Sequence, residues 1–167
     1  LDRLAVAETE GYKTIEWNDL MPDPWVKEMT KEMAALSKMS YLQDTSDEAS
    51  KAMNAIRKKL DEAPIVKTQL NKKIRIPGYA VPLDAERSEK REFLLVPYFG
   101  ACIHTPPPPA NQIVLVRPTA QSKIKKMPES MDVLWVEGEL KEGRVNTSQG
   151  VSGYLLEAVS IAPYETK

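Results

Sequence analysis

The chain has 167 residues, 42% of them hydrophobic, and its 23 basic and 24 acidic side chains give a formal net charge of -1. This balance excludes the global positive field that draws proteins to nucleic acids or to anionic membranes. No stretch approaches the roughly 18 consecutive apolar residues of a membrane-spanning helix, and a single cysteine excludes an internal disulfide. The length predicts one domain over residues 1–167.

The amino-terminal part is predicted to be a lead-in over residues 1–23. Leu1 stands where an initiator methionine would, which predicts a processed or trimmed amino terminus, and a signal or a lipid anchor could have preceded it. Within the lead-in, residues 14–22 form a short segment that we expect Trp17 and Leu20 to anchor.

A helical hairpin is predicted over residues 24–63. Pro24, behind a capping Asp23, marks the start of the first helix. Its apolar residues recur at helical spacing, and we interpret them as a core stripe rather than a methionine-rich binding groove. They are Val26, Met29, Met33 and Leu36. A capping box at Thr45 and Glu48 opens the second helix, and Pro64 ends it. The inward face of that helix is Ala49, Ala52, Met53, Ile56 and Leu60.

The rest of the chain reads as β-structure. Five β-type runs are punctuated by glycine and proline, at residues 73–83, 92–104, 112–117, 132–140 and 151–162. Five short runs predict a small barrel over residues 73–164, and Gly138 predicts a bulge or a close backbone approach. The expected fold class is therefore α+β, with the N-terminal helical hairpin packed on a five-stranded, OB-like β-barrel.

Cys102 and His104, the only cysteine and the only histidine, form the candidate site. Residues two apart in an extended strand point to the same face, with Cα atoms roughly 6.6 Å apart, so the thiol and the imidazole could share a metal ion. A thiolate with an imidazole suits zinc or copper better than magnesium or calcium. The remaining ligands of a tetrahedral zinc would have to be Asp, Glu, water or another chain.

Two other interpretations of the pair stay open. In a thiol enzyme, Cys102 would be the nucleophile and His104 its base, and Asn111 and Gln112 could supply hydrogen-bond donors. In a purely structural role, Cys102 would be a small buried hydrophobe and His104 a hydrogen-bonded neighbour. The four prolines at residues 106–109 predict a stiff polyproline crossover in preference to a docking ligand.

On its longer motifs, the chain resembles the bacterial family called domain of unknown function 3299. The resemblance rests on WNDLMP at residues 17–22, IPGY at 76–79, FLLVPYFGACIH at 93–104 and WVEG at 135–138. Members of that family generally look exported or lipid-anchored and tend to be encoded beside transporter components. The resemblance therefore implies a periplasmic or cell-envelope lipoprotein with a transporter component or another envelope protein as its partner.

We therefore hypothesise an exported binding protein that serves zinc uptake or delivery through Cys102 and His104. Nucleic acid is not expected among its partners, and a membrane is expected only through a removed lipid anchor. The alternatives are a Cys102/His104 thiol enzyme and a non-catalytic interaction module that docks through the polyproline stretch.

Overall fold

The chain combines helices with one mixed sheet, which confirms the predicted α+β class. The computed structural model describes residues 11–41, 47–103, 107–122, 124 and 126–164. The helices are α1 (Asp23–Tyr41), α2 (Asp47–Asp61) and α3 (Ala85–Glu89). The strands are β1 (Lys13–Thr14), β2 (Lys73–Pro82), β3 (Phe93–Val96), β4 (Val114–Pro118), β5 (Val133–Thr147) and β6 (Gly150–Pro163). The predicted cap residue Thr45 lies outside the described residues.

Five of the strands pair in a closed ring. β2 pairs antiparallel with β3, β3 antiparallel with β4, β4 parallel with β6, β6 antiparallel with β5, and β5 antiparallel with β2. The ring closes because β2 is long enough to pair with two partners, and its Tyr79 lies opposite both Val96 and Val133. β1 adds to β2 in parallel. The OB-like barrel and the hairpin packed on it are finer descriptions that stay predictions.

The core occupies both faces of the two shortest ring strands. On β3, Phe93 and Leu95 belong to one buried cluster, while Leu94 and Val96 belong to a second. This division follows the period of two along a strand. All four side chains are fully buried, and so β3 is a central strand that holds the loop after it in place.

Gly138 lies at an irregularity of the β5–β6 pairing, as its position in the sequence predicted. The register shifts between Glu137 and Gly138, and a Cβ atom at residue 138 would lie 2.2 Å from the backbone oxygen of Glu157. Only a residue without a side chain allows the two strands to approach so closely. The predicted bulge or close approach is therefore confirmed.

The largest differences from the predicted elements lie after β3, at the end of β5 and at α3. The second β-type run was expected to continue to residue 104, but β3 ends at Val96 because the backbone then turns. The fourth β-type run was expected to end at residue 140, but β5 extends to Thr147, where it forms a hairpin with β6. A short helix, α3, lies between the first two β-type runs, and Asp84 caps it by accepting a hydrogen bond from the Arg87 N–H group.

The two long helices bury few side chains, and the end of α2 is attached to the rest of the molecule through polar contacts. Among their described side chains only Met29 is buried. Arg57 of α2 donates to the carbonyl oxygen of Pro107 at 2.9 Å. Arg144 of β5 donates to the carbonyl oxygens of Asp61 and Ala63 at 2.5 and 2.7 Å, which satisfies acceptors left open at the end of α2. The predicted inward face of α2 is therefore only partly covered, and Met53 is 59% exposed.

The segment before α1 is anchored as the sequence predicted. Leu20 is fully buried, and the indole N–H of Trp17 donates to the carbonyl oxygen of Pro77 at 2.7 Å. The hydroxyl of Tyr154 accepts from the Val66 N–H group and donates to the Leu20 carbonyl oxygen. Burial raises the pKa of Tyr154 to about 12, so this bridge keeps its proton at neutral pH.

Within the described residues, no helix is both long and apolar enough to cross a lipid bilayer.

Candidate functional site

The segment that follows β3 is a pair of tight turns. The N–H group of Ala101 donates to the Tyr98 carbonyl oxygen, and that of Ile103 donates to the Gly100 carbonyl oxygen. Gly100 and Cys102 have φ angles of 86° and 69°, in a left-handed region that is uncommon for residues other than glycine. The extended backbone from which a shared Cys102/His104 face was inferred is therefore absent at Cys102.

Cys102 is half-buried and its thiol is held neutral. Burial raises the pKa of Cys102 from 9.0 to about 11, and the positive charge of Arg57 lowers it by a smaller amount. An activated nucleophile needs the opposite shift, and so the environment of Cys102 argues against the thiol-enzyme interpretation. His104 lies outside the described residues, and its pairing with Cys102 stays a prediction. The described residues contain no group of three or more His, Cys, Asp or Glu side chains that could hold a metal ion.

We expect Cys102 to react slowly with iodoacetamide. With a pKa of about 11, only about 10⁻⁴ of the thiol is ionised at pH 7, and the alkylation rate should rise about tenfold per pH unit up to about pH 10. Mass spectrometry of alkylated protein across this pH range measures the profile. An Arg57→Met variant should move the profile to higher pH, since the charge of Arg57 favours the thiolate. A plateau of the alkylation rate at or below pH 7 would contradict this prediction and support the thiol-enzyme interpretation.

Asn111 and Gln112, which the sequence offered as catalytic donors, are structural residues. Both are buried in the Ala110–Gln112 turn. The Asn111 amide donates to the carbonyl oxygen of Pro64 at 2.9 Å, and the Gln112 amide donates to those of Trp17 and Asn111. Their donors are therefore used to tie the turn to the segments before α1 and after α2, rather than pointed at a substrate.

The proline segment forms one wall of an open groove. Pro108 is buried and Pro107 accepts the hydrogen bond from Arg57, which fits the predicted stiff crossover. The groove has a volume of about 560 Å³ and lies between α1 and the prolines. Its lining includes Met21, Trp25, Met29, Met33, Tyr98 and residues 107–109. The stripe on α1 was predicted to be core, and this was wrong for Met33, which is 45% exposed.

Large apolar side chains are exposed beside this groove. Tyr98, Phe99 and Ile103 are 44%, 65% and 40% exposed and lie within the two turns after β3. We call these three residues the loop patch. The ring of Phe99 packs edge-on against Tyr79 of β2, with centroids 6.0 Å apart and planes at 81°, a favourable aromatic geometry. The loop patch is therefore held on the ring of strands despite its exposure.

The comparison with known proteins places the chain in a family. The model of the family described as a protein of unknown function, DUF3299, matches residues 17–163. The chain belongs to the DUF3299 family. The crystal structure of a DUF3299 family protein from Pseudomonas aeruginosa PAO1 is similar, with a TM-score of 0.64 and 31% sequence identity. The similarity covers 93% of this chain and 98% of that one. None of the curated proteins compared matches the chain.

Sequence reasoning placed the candidate site of this DUF3299 chain in the segment after β3 and selected Cys102 and His104 there, which stays a prediction. It emphasised Cys102 and His104 because they are chemically distinctive. It missed the loop patch, since an apolar run after a buried strand reads as more strand. A signal for the groove was present: Met21, Trp25, Met29 and Met33 recur every four residues, although Met21 was assigned to the segment before the helix.

Proposed function

We propose that the protein is a non-catalytic binding protein that docks an apolar segment of a partner protein on the loop patch. The observation that carries the proposal is the exposure of Tyr98, Phe99 and Ile103 within one short loop. Exposed apolar patches mark interaction sites, and aromatic side chains are enriched in protein interfaces. The docking module was an alternative at the sequence level, with the polyproline stretch as its contact. The structure favours the loop beside that stretch.

The fixed shape of the loop supports specific docking over nonspecific hydrophobic association. Two backbone hydrogen bonds close its turns, and the N–H group of Gly100 donates to the sulfur of Met131 at 3.1 Å. Ring contact with Tyr79 holds Phe99. Because these contacts exist before a partner arrives, little conformational entropy is lost when a partner binds.

Charge at this end of the molecule supports an apolar partner over an anionic one. Residues 97–103 contain no charged side chain. Arg57, the cation among the described lining residues of the groove, already bonds to Asp61 through two nitrogens and to the Pro107 carbonyl oxygen through a third. A phosphate or carboxylate would have to displace those bonds. An apolar segment would not.

Selection from a displayed peptide library, with the protein as bait, tests the proposal. We expect enriched apolar peptides that bind the wild type and lose at least about 30-fold in affinity with Phe99→Asp, because a central aromatic contact is worth about 2 kcal/mol or more. Met53→Asp is the matched control, since Met53 is 59% exposed, lies on α2 and does not line the groove. Peptides that bind the Phe99→Asp protein as tightly as the wild type would contradict the proposal.

We also propose a cell-envelope location with a transporter component as the partner, and the resemblance stated above supports both. Fractionation of cells that express the full-length gene product tests the location. Recovery in the cytosol alone would contradict it, and recovery with the envelope followed by cross-linking from residue 99 would show which protein covers the loop patch.

Zinc binding by Cys102 and His104 is a second proposal. It is supported by the partial exposure of Cys102 as a residue. The raised pKa of Cys102 works against it, because the metal must displace the thiol proton. Zinc titration of the reduced protein, beside a Cys102→Ser, His104→Ala variant, decides the matter. Equal binding by the two proteins would reject the site.

A further inference from the structure

The two walls of the groove have few free backbone groups. Residues 107–109 are prolines and have no N–H groups. The Pro107 carbonyl oxygen already accepts from the Arg57 side chain. The Pro109 carbonyl oxygen accepts from the Gln112 N–H group, and the backbone groups of α1 bond to one another within the helix. A segment that enters the groove therefore has to satisfy its own backbone groups, because a buried N–H or carbonyl group needs a partner.

An α-helix meets this requirement, since its backbone groups bond internally except at the ends. An added β-strand would need a row of donors and acceptors on one wall, and neither described wall has one. Along α1, the groove-lining residues Trp25, Met29 and Met33 recur every four residues. Side chains four apart form a ridge of the kind by which two helices pack against each other. The groove therefore fits the apolar face of an amphipathic helix.

Three exposed lysines lie on α1 beside the groove. Lys27, Lys31 and Lys38 fall within about 40° of one another around the helix axis. The first two directly follow Val26 and Thr30, which line the groove. We call the three lysines the lysine row. Among the described residues, none of them forms an ion pair.

Two glutamates of α1 lie on another side of the helix. Glu32 forms an ion pair with Lys59 of α2, and Glu28 lines a smaller cavity together with the same lysine. Asp23, one turn before Lys27, forms no ion pair with it. Charge is therefore segregated on α1, and the positive charge of the lysine row is not balanced by these carboxylates.

We propose that the groove receives an amphipathic helix of a partner protein, with its apolar face between α1 and the prolines and its acidic residues against the lysine row. Such a helix is the docked segment of the proposed function, on which this inference rests. Tyr98 belongs to the loop patch and also lines the groove, so one helix contacts both. Lys27 and Lys38 are about 16 Å apart along the axis of α1, and a partner helix of about three turns spans that distance.

The acidic residues of the partner belong at the rim and not inside the groove. Arg57, which lines the groove, already has a carboxylate partner in Asp61, at 2.8 Å. The lysine row is exposed, and charges at the rim of an interface steer the encounter and fix the orientation of the partner. The inside of the groove stays apolar, in agreement with the docking of an apolar segment.

Selection from two displayed peptide libraries tests the inference. One library has apolar residues at helical intervals of three and four, and the other has them at every second position, as in a strand. In both, the polar positions vary among Glu, Lys and Gln. We expect the helical library to be enriched, with Glu along one flank. With Lys27→Glu, Lys31→Glu, Lys38→Glu protein, the enriched flank should change to Lys, and with the corresponding Gln variant the preference should disappear.

The matched control reverses three lysines elsewhere. Lys51, Lys67 and Lys72 are exposed and do not line the groove, so Lys51→Glu, Lys67→Glu, Lys72→Glu changes the net charge equally and should keep the Glu preference. Circular dichroism checks that each variant is folded.

Binding kinetics of an enriched peptide measure the size of the effect. Reversal of the lysine row should weaken binding at least about tenfold at low salt, mainly through the association rate. The difference should shrink in about 1 M salt, where the Debye length falls to about 3 Å. A proline in the middle of the peptide should cost about 100-fold relative to alanine, because it breaks a helix. Met33→Asp should also weaken binding, whereas Met53→Asp should not.

Three results would overturn the inference. They are a flank preference that does not change when the lysine row is reversed, enrichment of the strand library alone, and equal affinity in Met33→Asp and Met53→Asp. Any of them leaves the docking proposal standing if the enriched peptides still lose affinity with Phe99→Asp. Acidic helices that bind in the groove but tolerate Phe99→Asp would instead contradict docking on the loop patch, and no enrichment from either library would contradict both.

Discussion

Gly138→Ala is expected to destabilise the protein by about 3 kcal/mol, the upper end of the cost of overpacking. The added Cβ would lie 2.2 Å from the backbone oxygen and 2.8 Å from the backbone carbon of Glu157. Backbone atoms of a paired strand cannot rotate aside as the end of a side chain can. β5 and β6 must therefore separate, in the longest strand pairing of the ring. Urea unfolding followed by circular dichroism measures the loss.

Glu139→Ala provides the control for that measurement. Glu139 directly follows Gly138 on β5 and is partly exposed. Its ion pair with Lys141 is a surface contact. Such pairs contribute about 0–1 kcal/mol. An unfolding midpoint for Gly138→Ala equal to that of Glu139→Ala would contradict the prediction. It would show that β5 and β6 can move apart at residue 138 without a loss of stability.

The second large effect concerns the carboxylate of Glu92, which is 1% exposed. Its Oε2 accepts from Nε of Arg117 at 2.6 Å, and its Oε1 accepts from Nη1 of Arg87 at 3.0 Å. Replacing both arginines with methionine should cost about 3–5 kcal/mol, because a buried charge is left without a partner. Each single replacement leaves one partner and should cost about 1.5–3 kcal/mol or less.

A double-mutant cycle with chemical denaturation measures this coupling. The loss in the double variant should exceed the sum of the two single losses, since Glu92 is orphaned only when both partners are gone. Adding Glu92→Leu to the double variant should recover most of the stability, because an apolar residue has no charge to solvate. Strict additivity of the two single losses would mean that solvent reaches the carboxylate despite its burial.

Local signals predicted most of the architecture. The anchor at Leu20 and the close approach at Gly138 each depend on a few neighbouring residues, and each is confirmed. The helix predicted to start at Pro24 behind a capping Asp23 is present and begins one residue earlier, at Asp23 itself. Closure of the strands into a ring could be anticipated from the number of β-type runs, but the order of the strands could not. That order depends on pairs such as Val114 with Tyr154, which are distant in sequence.

The site was harder to predict because it depends on exposure. Apolar periodicity shows that a residue such as Met33 faces one side of a helix, but not whether another element covers that side. The run from Phe93 to Ile103 is equally apolar throughout, yet its first part is a central strand and its last part is an exposed turn. Positive φ angles at Gly100 and Cys102 turn the backbone there. A cysteine does not predict a positive φ angle, and so the turn at Cys102 could not be read from the sequence.

The order of the strands also constrains how the protein is made. β6 is the last strand of the part of the chain that the structure describes, and it supplies partners to both β4 and β5. Until it has left the ribosome, those strands present unpaired edges, which are templates for aggregation. Closure therefore has to wait until β6 has been synthesised, and the many distant pairings predict slow folding. A nascent chain whose ring is still open exposes those edges to aggregation during that interval.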